Sequence, residues 1–239
     1  MSPDGTKFII ATALASQNES DIPNGDLPRY EDERITTNPD GTTEPRIFHR
    51  ALIGDERNDE NLIVSQLHLA FMKFHNSVVD ALIAGTISPP TITIADTASP
   101  EDKLLMQAKR LTQWHYQWII LNDYLPQICD SQIVSELRDG TISVPSFTGM
   151  PVEFAGAAFR FGHSMVRENY DYNRHFGNNG TILQSASFAL LFIFTGGGGF
   201  SGQSELPSNW VIDWDRFINP DIQKARGIDT VLALSLIHI

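Results

Sequence analysis

Two short segments of this chain combine residue types that can do chemistry at fixed spacing. The first is Gly54-Asp55-Glu56-Arg57-Asn58-Asp59-Glu60-Asn61, and the second is Phe159-Arg160-Phe161-Gly162-His163. An arginine can stabilise negative charge that develops in a reaction, because its guanidinium does not lose its proton. A histidine can bind a metal through one ring nitrogen while an acceptor holds the other. Taken singly, however, the arginine also fits a surface loop and the histidine a packed structural role.

The order and intervals of the first segment resemble the catalytic core of the animal-type haem peroxidases, within the peroxidase–cyclooxygenase superfamily. In that family an arginine is followed by a glutamate, then by a histidine, and then by a His-Asn pair. Arg57, Glu60, His68 and His75-Asn76 reproduce each of these intervals.

The second segment resembles the other motif of the same family. That motif reads Tyr-Arg-Tyr-Gly-His, and residues 159–163 keep the arginine and the Gly-His pair, with phenylalanine in place of both tyrosines. Small residues before the histidine leave room for a flat macrocycle: Gly156, Ala157, Ala158 and Gly162. The resemblance covers about residues 48–232. It implies a mainly α-helical haem-peroxidase core that is incomplete, in a bacterial-type fragment lacking both ends of the family's domain.

The resemblance implies a role for four residues. His163 matches the proximal ligand of the haem iron, and Arg57 matches the distal arginine that stabilises developing charge. Arg160 and Glu60 are expected to belong to the haem-binding residues. Glu60 matches the glutamate that forms an ester with a haem methyl group in mammalian members, and whether this bond forms here stays open. Asn61 replaces a methionine that makes a further haem link, so that link is expected to be absent.

The other helical histidines are interpreted as structural: His68, His75 and His115. In the family, a distal histidine and a calcium-ligand aspartate precede the arginine motif, whereas here no histidine precedes His49. The family's asparagine that anchors the proximal histidine has no counterpart after His163. The resemblance therefore implies haem b, Ca²⁺ in the full-length protein through ligands outside this chain, and a fragment that is itself inactive.

The implied activity is a haem-dependent peroxidase that reduces hydrogen peroxide and oxidises a small organic or halide donor. Two alternatives stay open, a fatty-acid dioxygenase of the same superfamily and a non-enzymatic helical domain without haem. Such dioxygenases typically carry a radical-forming tyrosine three residues before the proximal histidine, where this chain has Arg160. A domain that does not bind haem would show no Soret band when haem is added.

Composition excludes some classes of partner. A net charge of -12 argues against nucleic acid or an anionic membrane surface, since both require basic patches. No apolar stretch approaches the ~18–20 residues that a membrane span needs. Cys129 is the only cysteine, which rules out an intrachain disulfide and a cysteine-rich metal site. A secreted and a cytoplasmic location both remain open.

The elements that must position the two segments are predicted to be helical. Apolar spacing and capping residues predict three helices, over residues 61–84, 99–124 and 151–166. Gly85 is expected to end the first, and Ser99 with Pro100 to begin the second. Leu67 and Trp118 are expected on the buried faces of the first and second helices.

Three stretches are predicted along the chain. Residues 1–47 are expected to be an irregular N-terminal segment, because residues 16–47 are rich in Asn, Asp, Pro, Gly and Thr and lack periodicity. Residues 48–233 form the catalytic-core fragment. Residues 234–239 read as the translation of a common sequencing adapter, and we interpret them as an assembly artefact.

Overall fold

A computed structural model of the protein describes residues 1–16, 19–142, 149–177, 179–184, 186–195, 205–219 and 221. The α-helices are α1 Leu62–Ile83, α2 Pro100–Ile119, α3 Leu125–Ile128, α4 Ser131–Arg138, α5 Val152–Gly156 and α6 Trp214–Phe217. The strands are β1 Ala11–Ala13, β2 Ile22–Asp26, β3 Arg29–Thr37, β4 Thr43–Ala51, β5 Asn169–Tyr170 and β6 Ala186–Ser187. A π-helical turn, Ile120–Tyr124, joins α2 to α3. Four 3₁₀ helices complete the description: Glu56–Asp59, Ala158–Met165, Phe188–Phe192 and Ser208–Trp210.

The prediction of a mainly α architecture is confirmed, and so are its first two helices. α1 ends before Gly85, whose φ of 67° is the left-handed conformation that favours glycine after a helix. α2 begins with Ser99 as its cap, and the Ser99 hydroxyl accepts a 3.0 Å hydrogen bond from the amide of Asp102. Within the described part of the chain, every helix is too short or too polar to span a bilayer. The proposed artefact at residues 234–239 lies outside the described residues.

The described chain divides into two compact units. The helical unit comprises Met1–Lys7 and Phe74–Met165, and the mixed unit comprises Phe8–Lys73 and the described residues of Val166–Gly227. In the helical unit, the last part of α1 packs against α2 through Val78, Val79 and Ala108. The main core of the mixed unit is aromatic and aliphatic, built from Leu62, Tyr172, Phe176, Ala186, Leu191, Leu206, Trp210 and Ile212.

The buried face of α1 in the mixed unit differs from the predicted one. Leu67 is 46% exposed, and a row containing polar side chains is buried instead: Leu62, Ser65, Gln66, Leu69 and Met72. Gln66 tolerates burial because its amide donates to the backbone oxygen of Gly25 at 2.9 Å and accepts from the amide of Ile212 at 3.4 Å. A prediction from apolar spacing alone puts the buried face of α1 in the wrong place, because two of the buried residues, Ser65 and Gln66, are polar. The prediction for Trp118 is also wrong, because this side chain is 63% exposed.

The expectation of irregular structure before residue 48 is wrong where four strands form, at residues 11–13, 22–26, 29–37 and from residue 43 onward. β1 pairs with β2, and β3 pairs with β4 in a hairpin whose ends are Arg29 opposite Ala51 and Thr37 opposite Thr43. Gly41, with a φ of 84°, makes the turn. Both faces of β3 are largely exposed, so its sequence lacks the apolar alternation that reveals a strand. Cross-strand ion pairs such as Arg50–Asp32, at 3.7 Å, take the place of an apolar face.

The third predicted helix is interrupted. α5 ends at Gly156, and the chain resumes as the 3₁₀ helix Ala158–Met165. Ala157 between them has φ and ψ of -131° and -67°, outside the helical region. The low helix propensity of glycine at position 156 favours this break.

Candidate functional site

Arg57 lies in a short 3₁₀ helix, Glu56–Asp59, which with its caps Asp55 and Glu60 is called the Arg57 turn. The side chain of Asp55 caps the turn by accepting from the amide of Arg57 at 3.0 Å. The same carboxylate pairs with the guanidinium, through Nε at 2.9 Å and Nη2 at 2.6 Å. Hydrogen bonds from the Arg57 side chain lower the pKa of Asp55 to about 2, and Asp55 in turn raises the pKa of Arg57. Arg57 therefore stays cationic at any working pH.

The Arg57 turn contains one buried acidic residue between two exposed residues. Asp59 is 3% exposed, whereas Arg57 and Glu60 are both exposed. The backbone oxygen of Glu60 accepts a 2.8 Å hydrogen bond from the buried hydroxyl of Thr195. The end of the turn is thereby tied to a segment far along the chain.

Asp59 forms hydrogen bonds with Arg29, a buried arginine that was not among the residues predicted for the site. The guanidinium of Arg29 donates to Asp59 at 2.9 and 3.1 Å and to Asp26 at 2.8 and 3.0 Å. All three side chains are at most 4% exposed. Burial disfavours the charge on Arg29, but the hydrogen bonds and charges of Asp26 and Asp59 outweigh it and raise the pKa of Arg29. The sequence gives no local signal for this burial, because the other acidic residues of the same segment, Asp55, Glu56 and Glu60, are at least partly exposed.

The histidines of α1 have the structural surroundings expected of them. The Nδ2 of Asn58 lies 3.1 Å from Nδ1 of His68, which steadies the Arg57 turn against the helix that follows. Burial lowers the pKa of His68. His75 is 2% exposed, and burial lowers its pKa while a hydrogen bond with the Asn76 side chain opposes the shift.

His163 lies in the exposed 3₁₀ helix Ala158–Met165, and its Nδ1 is 2.8 Å from the backbone oxygen of Arg160. A carbonyl oxygen only accepts hydrogen bonds, so Nδ1 must carry the ring proton. Neutral His163 therefore presents Nε2 as an unprotonated lone pair, the form that binds a metal. His115 has the same arrangement, with Nδ1 2.8 Å from the oxygen of Leu111. The motif, rather than the tautomer, distinguishes the two histidines.

The surroundings of His163 fit a planar cofactor. A Cβ placed on Gly156 or on Gly162 would meet no atom within 4 Å, so both glycines border open space. Phe154 and Phe159, 44% and 67% exposed, lie with ring centroids 5.7 Å apart. An available Nε2, adjacent open space and exposed aromatic rings are the features that a bound haem would use.

The four predicted residues fall into two places. Arg57 and Glu60 belong to the mixed unit, and Arg160 and His163 belong to the helical unit. The side chain of Arg160 donates from Nε to the backbone oxygen of Ala155 at 3.2 Å. Among the described residues, no group of three or more His, Cys, Asp or Glu side chains could hold a metal ion.

Comparison with known proteins assigns the chain to a family. The family model of the animal haem peroxidases matches residues 11–195. This match spans most of the chain, and the chain belongs to the animal haem peroxidase family. Membership implies haem as the cofactor, in agreement with the resemblance found in the two motifs.

Several curated relatives carry peroxidase names. The chain is 30% identical to a peroxidase-like protein of Margaritifera margaritifera over 125 residues, which cover 49% of this chain and 14% of that protein. It is 26% identical to heme peroxidase 2 of Caenorhabditis elegans over 135 residues, covering 53% and 17%. It is 27% identical to human thyroid peroxidase over 155 residues, covering 62% and 15%. The chain thus spans 14% to 17% of the length of these relatives.

Proposed function

We propose that this chain is part of a haem peroxidase that reduces hydrogen peroxide and oxidises a small organic or halide donor. The observation that carries the proposal is the presence of both family motifs, in family order, with His163 in the tautomer that leaves Nε2 free to bind. Haem b, when bound, would supply the redox centre that takes oxidising equivalents from peroxide and passes them to the donor.

His163 would hold the cofactor and set its electron density. The hydrogen bond from Nδ1 to the backbone oxygen of Arg160 orients the imidazole and makes Nε2 more basic. Arg160 would line the cofactor from the same short helix. The small residues Gly156 and Gly162 leave the adjacent space unfilled.

Arg57 would stabilise the negative charge that develops as the O–O bond of peroxide breaks. Its pairing with Asp55 keeps the guanidinium charged and holds it beside the N-terminal cap of the turn. Glu60 presents an exposed carboxylate that could form an ester with a haem methyl carbon, if hydrogen peroxide took up the two electrons lost as the C–H bond is replaced by a C–O bond. An ester there would fix the cofactor relative to Arg57.

Peroxide must also lose a proton, and the general base is not among these residues. The first histidine in the chain is His49, on β4, whose backbone oxygen accepts from Arg29 at 3.2 Å. A distal histidine and a Ca²⁺ loop, as in other members of the family, would come from residues outside these 239. We expect residues 1–239 alone to show little turnover above free haemin, since general-base catalysis contributes about 10²–10⁴-fold.

The test uses the protein expressed from its full reading frame and reconstituted with haem. In the His163→Ala variant we expect loss of the haem Soret band or a fall of orders of magnitude in peroxide-dependent oxidation of a phenol. His115→Ala is the matched control, because His115 is also exposed and also donates from Nδ1 to a backbone oxygen one turn back. Equal haem content and turnover in the two variants would contradict the assignment of His163.

The same preparation separates the alternatives. Oxygen uptake with a polyunsaturated fatty acid in the absence of peroxide would identify a dioxygenase, for which Arg160 occupies the position of the radical-forming tyrosine. No Soret band in the wild-type protein after haem addition would identify a domain that does not bind haem.

A further inference from the structure

The guanidinium of Arg29 has no unused hydrogen-bond donor. Its five N–H groups are all engaged, one at Nε with Asp26, two at Nη2 with Asp26 and Asp59, and two at Nη1 with Asp59 and the backbone oxygen of His49. Asp26 also accepts from the amide of Leu206 at 3.0 Å. Through the guanidinium of Arg29, the cluster therefore connects β2, β3, β4, the Arg57 turn and the chain at residue 206.

This anchoring decides which way the Arg57 turn faces. Asp59 is the buried residue of the turn, and Arg57 and Glu60 on either side of it in the sequence are both exposed. Fixing the carboxylate of Asp59 by two hydrogen bonds fixes the rotation of the turn about its own axis. A turn released from Arg29 could rotate, and both outward residues would then move together.

We propose that Arg29, held by Asp26, is a positioning residue that sets the orientation of Arg57 and Glu60 through Asp59. The proposal rests on the proposed peroxidase function, in which Arg57 acts on peroxide and Glu60 faces the haem. Arg29 touches neither peroxide nor cofactor in this arrangement. Its effect on the reaction passes through the turn.

A lysine cannot take the place of Arg29. It has three donors on a single atom, whereas the two carboxylates are engaged by a planar fork with parallel hydrogen bonds. Arg29→Lys keeps the charge but removes the bidentate geometry. Asp59→Asn is a second variant of nearly equal size that weakens the same contact while retaining an acceptor.

The first experiment is a double-mutant cycle in the haem-loaded, full-length protein. We expect Arg29→Lys to slow the reaction with hydrogen peroxide by about 10²-fold, the cost typical of a misplacement near 1 Å. If Arg29 acts through Arg57, adding Arg29→Lys to Arg57→Gln will produce almost no further loss. Losses that multiply in the double variant would overturn the proposal.

The second experiment needs no haem. We expect amide hydrogen exchange in the apo protein to accelerate at residues 57–60 in Arg29→Lys and in Asp59→Asn, with α2 unchanged. Arg216→Lys is the control, because Arg216 also pairs with a carboxylate of the same unit, that of Asp171 at 3.1 Å. Unchanged exchange at residues 57–60 in both test variants would overturn the proposal. If the protein proves not to be a peroxidase but Arg29 does hold the turn, this exchange pattern will still be seen. The experiment therefore tests the positioning role of Arg29 separately from the proposed function.

Discussion

The Arg57 turn and the segment that carries His163 are held in place by different means. Buried side chains from distant parts of the sequence fix the turn, through Arg29 on Asp59 and Thr195 on the backbone of Glu60. In residues 152–165 the hydrogen bonds join residues at most five apart in the sequence, and each of these residues is at least partly exposed. Each segment presents two exposed site residues, but only the turn also has a buried side chain, that of Asp59.

This difference separates two ways of building a site. The position of Arg57 depends on residues far away in the sequence, so changes at a distance can displace it. The tautomer of His163 depends on a carbonyl three residues earlier, so it is set by the local helix alone. A group that must meet peroxide at a defined angle is preorganised by the fold, whereas a histidine that binds a cofactor can acquire its final orientation from the cofactor itself.

Removing the buried cation is the largest expected perturbation of stability. Arg29→Met should lower the free energy of unfolding of the apo protein by about 3–5 kcal/mol, because two buried carboxylates lose their partner. Phe159→Ala in the His163 segment should change it by at most ~0.5 kcal/mol, since the ring is 67% exposed. Urea unfolding measures both values. A comparable loss from Phe159→Ala would show that the His163 segment is packed as firmly as the turn.

Replacing the outward arginine should affect chemistry and spare the fold. Arg57→Gln should slow the reaction of the haem-loaded protein with peroxide by about 10²–10³-fold, the typical cost of losing one preorganised charge-stabilising donor. Its stability should change little, because the side chain is 82% exposed and solvent screens exposed ion pairs. Stopped-flow absorbance follows the reaction.

The control for Arg57 is Arg174→Gln. Arg174 is 69% exposed and also pairs with a carboxylate, that of Glu19 at 2.5 Å, within the same unit. We expect its peroxide reaction to match the wild type. Equal slowing in both variants would assign the effect to net charge rather than to the position of Arg57.

The smallest expected effect concerns the cap of the turn. The pKa of Asp55 falls from 3.8 to about 2 in the folded chain because Arg57 and the backbone hydrogen-bond its ionised form. A lowered pKa means that this contribution to stability is present above pH 3.8 and is lost as the pH falls through about 2. The advantage of the wild type over Asp55→Asn in urea unfolding should therefore shrink over that interval. A difference that stays constant between pH 5 and pH 2 would contradict the pairing.

The helices around the site were largely predictable, and the strands were not. Repeated apolar spacing and clear caps reveal α1 and α2, since these signals are local. β3 and β4 are stabilised by backbone pairing and by charges on exposed faces, which leave no apolar alternation to read. The break at Ala157 also escaped prediction, because a single glycine is often tolerated within a helix.

The residues of the proposed site stand out in the sequence through motif spacing, whereas the residues that hold the Arg57 turn in place do not. Arg57, Glu60 and His163 are recognisable because their intervals are fixed within short stretches of sequence. Asp26, Arg29 and Thr195 reach the turn only through tertiary folding, and a charged residue in a polar stretch reads as solvent-exposed. Long-range burial of a charge is a property of the folded chain that local patterns do not encode.

The fully engaged guanidinium of Arg29 has a consequence for mutational scanning. A library scored only for turnover would rank positions 26, 29 and 59 beside position 57, although the first three touch no reactant in the proposed site. Scoring each variant for cellular abundance as well would separate them, because a ΔΔG of about 1–2 kcal/mol already changes abundance several-fold. Substitutions of Arg57 would then stand apart as abundant and slow, and substitutions of Arg29 as scarce.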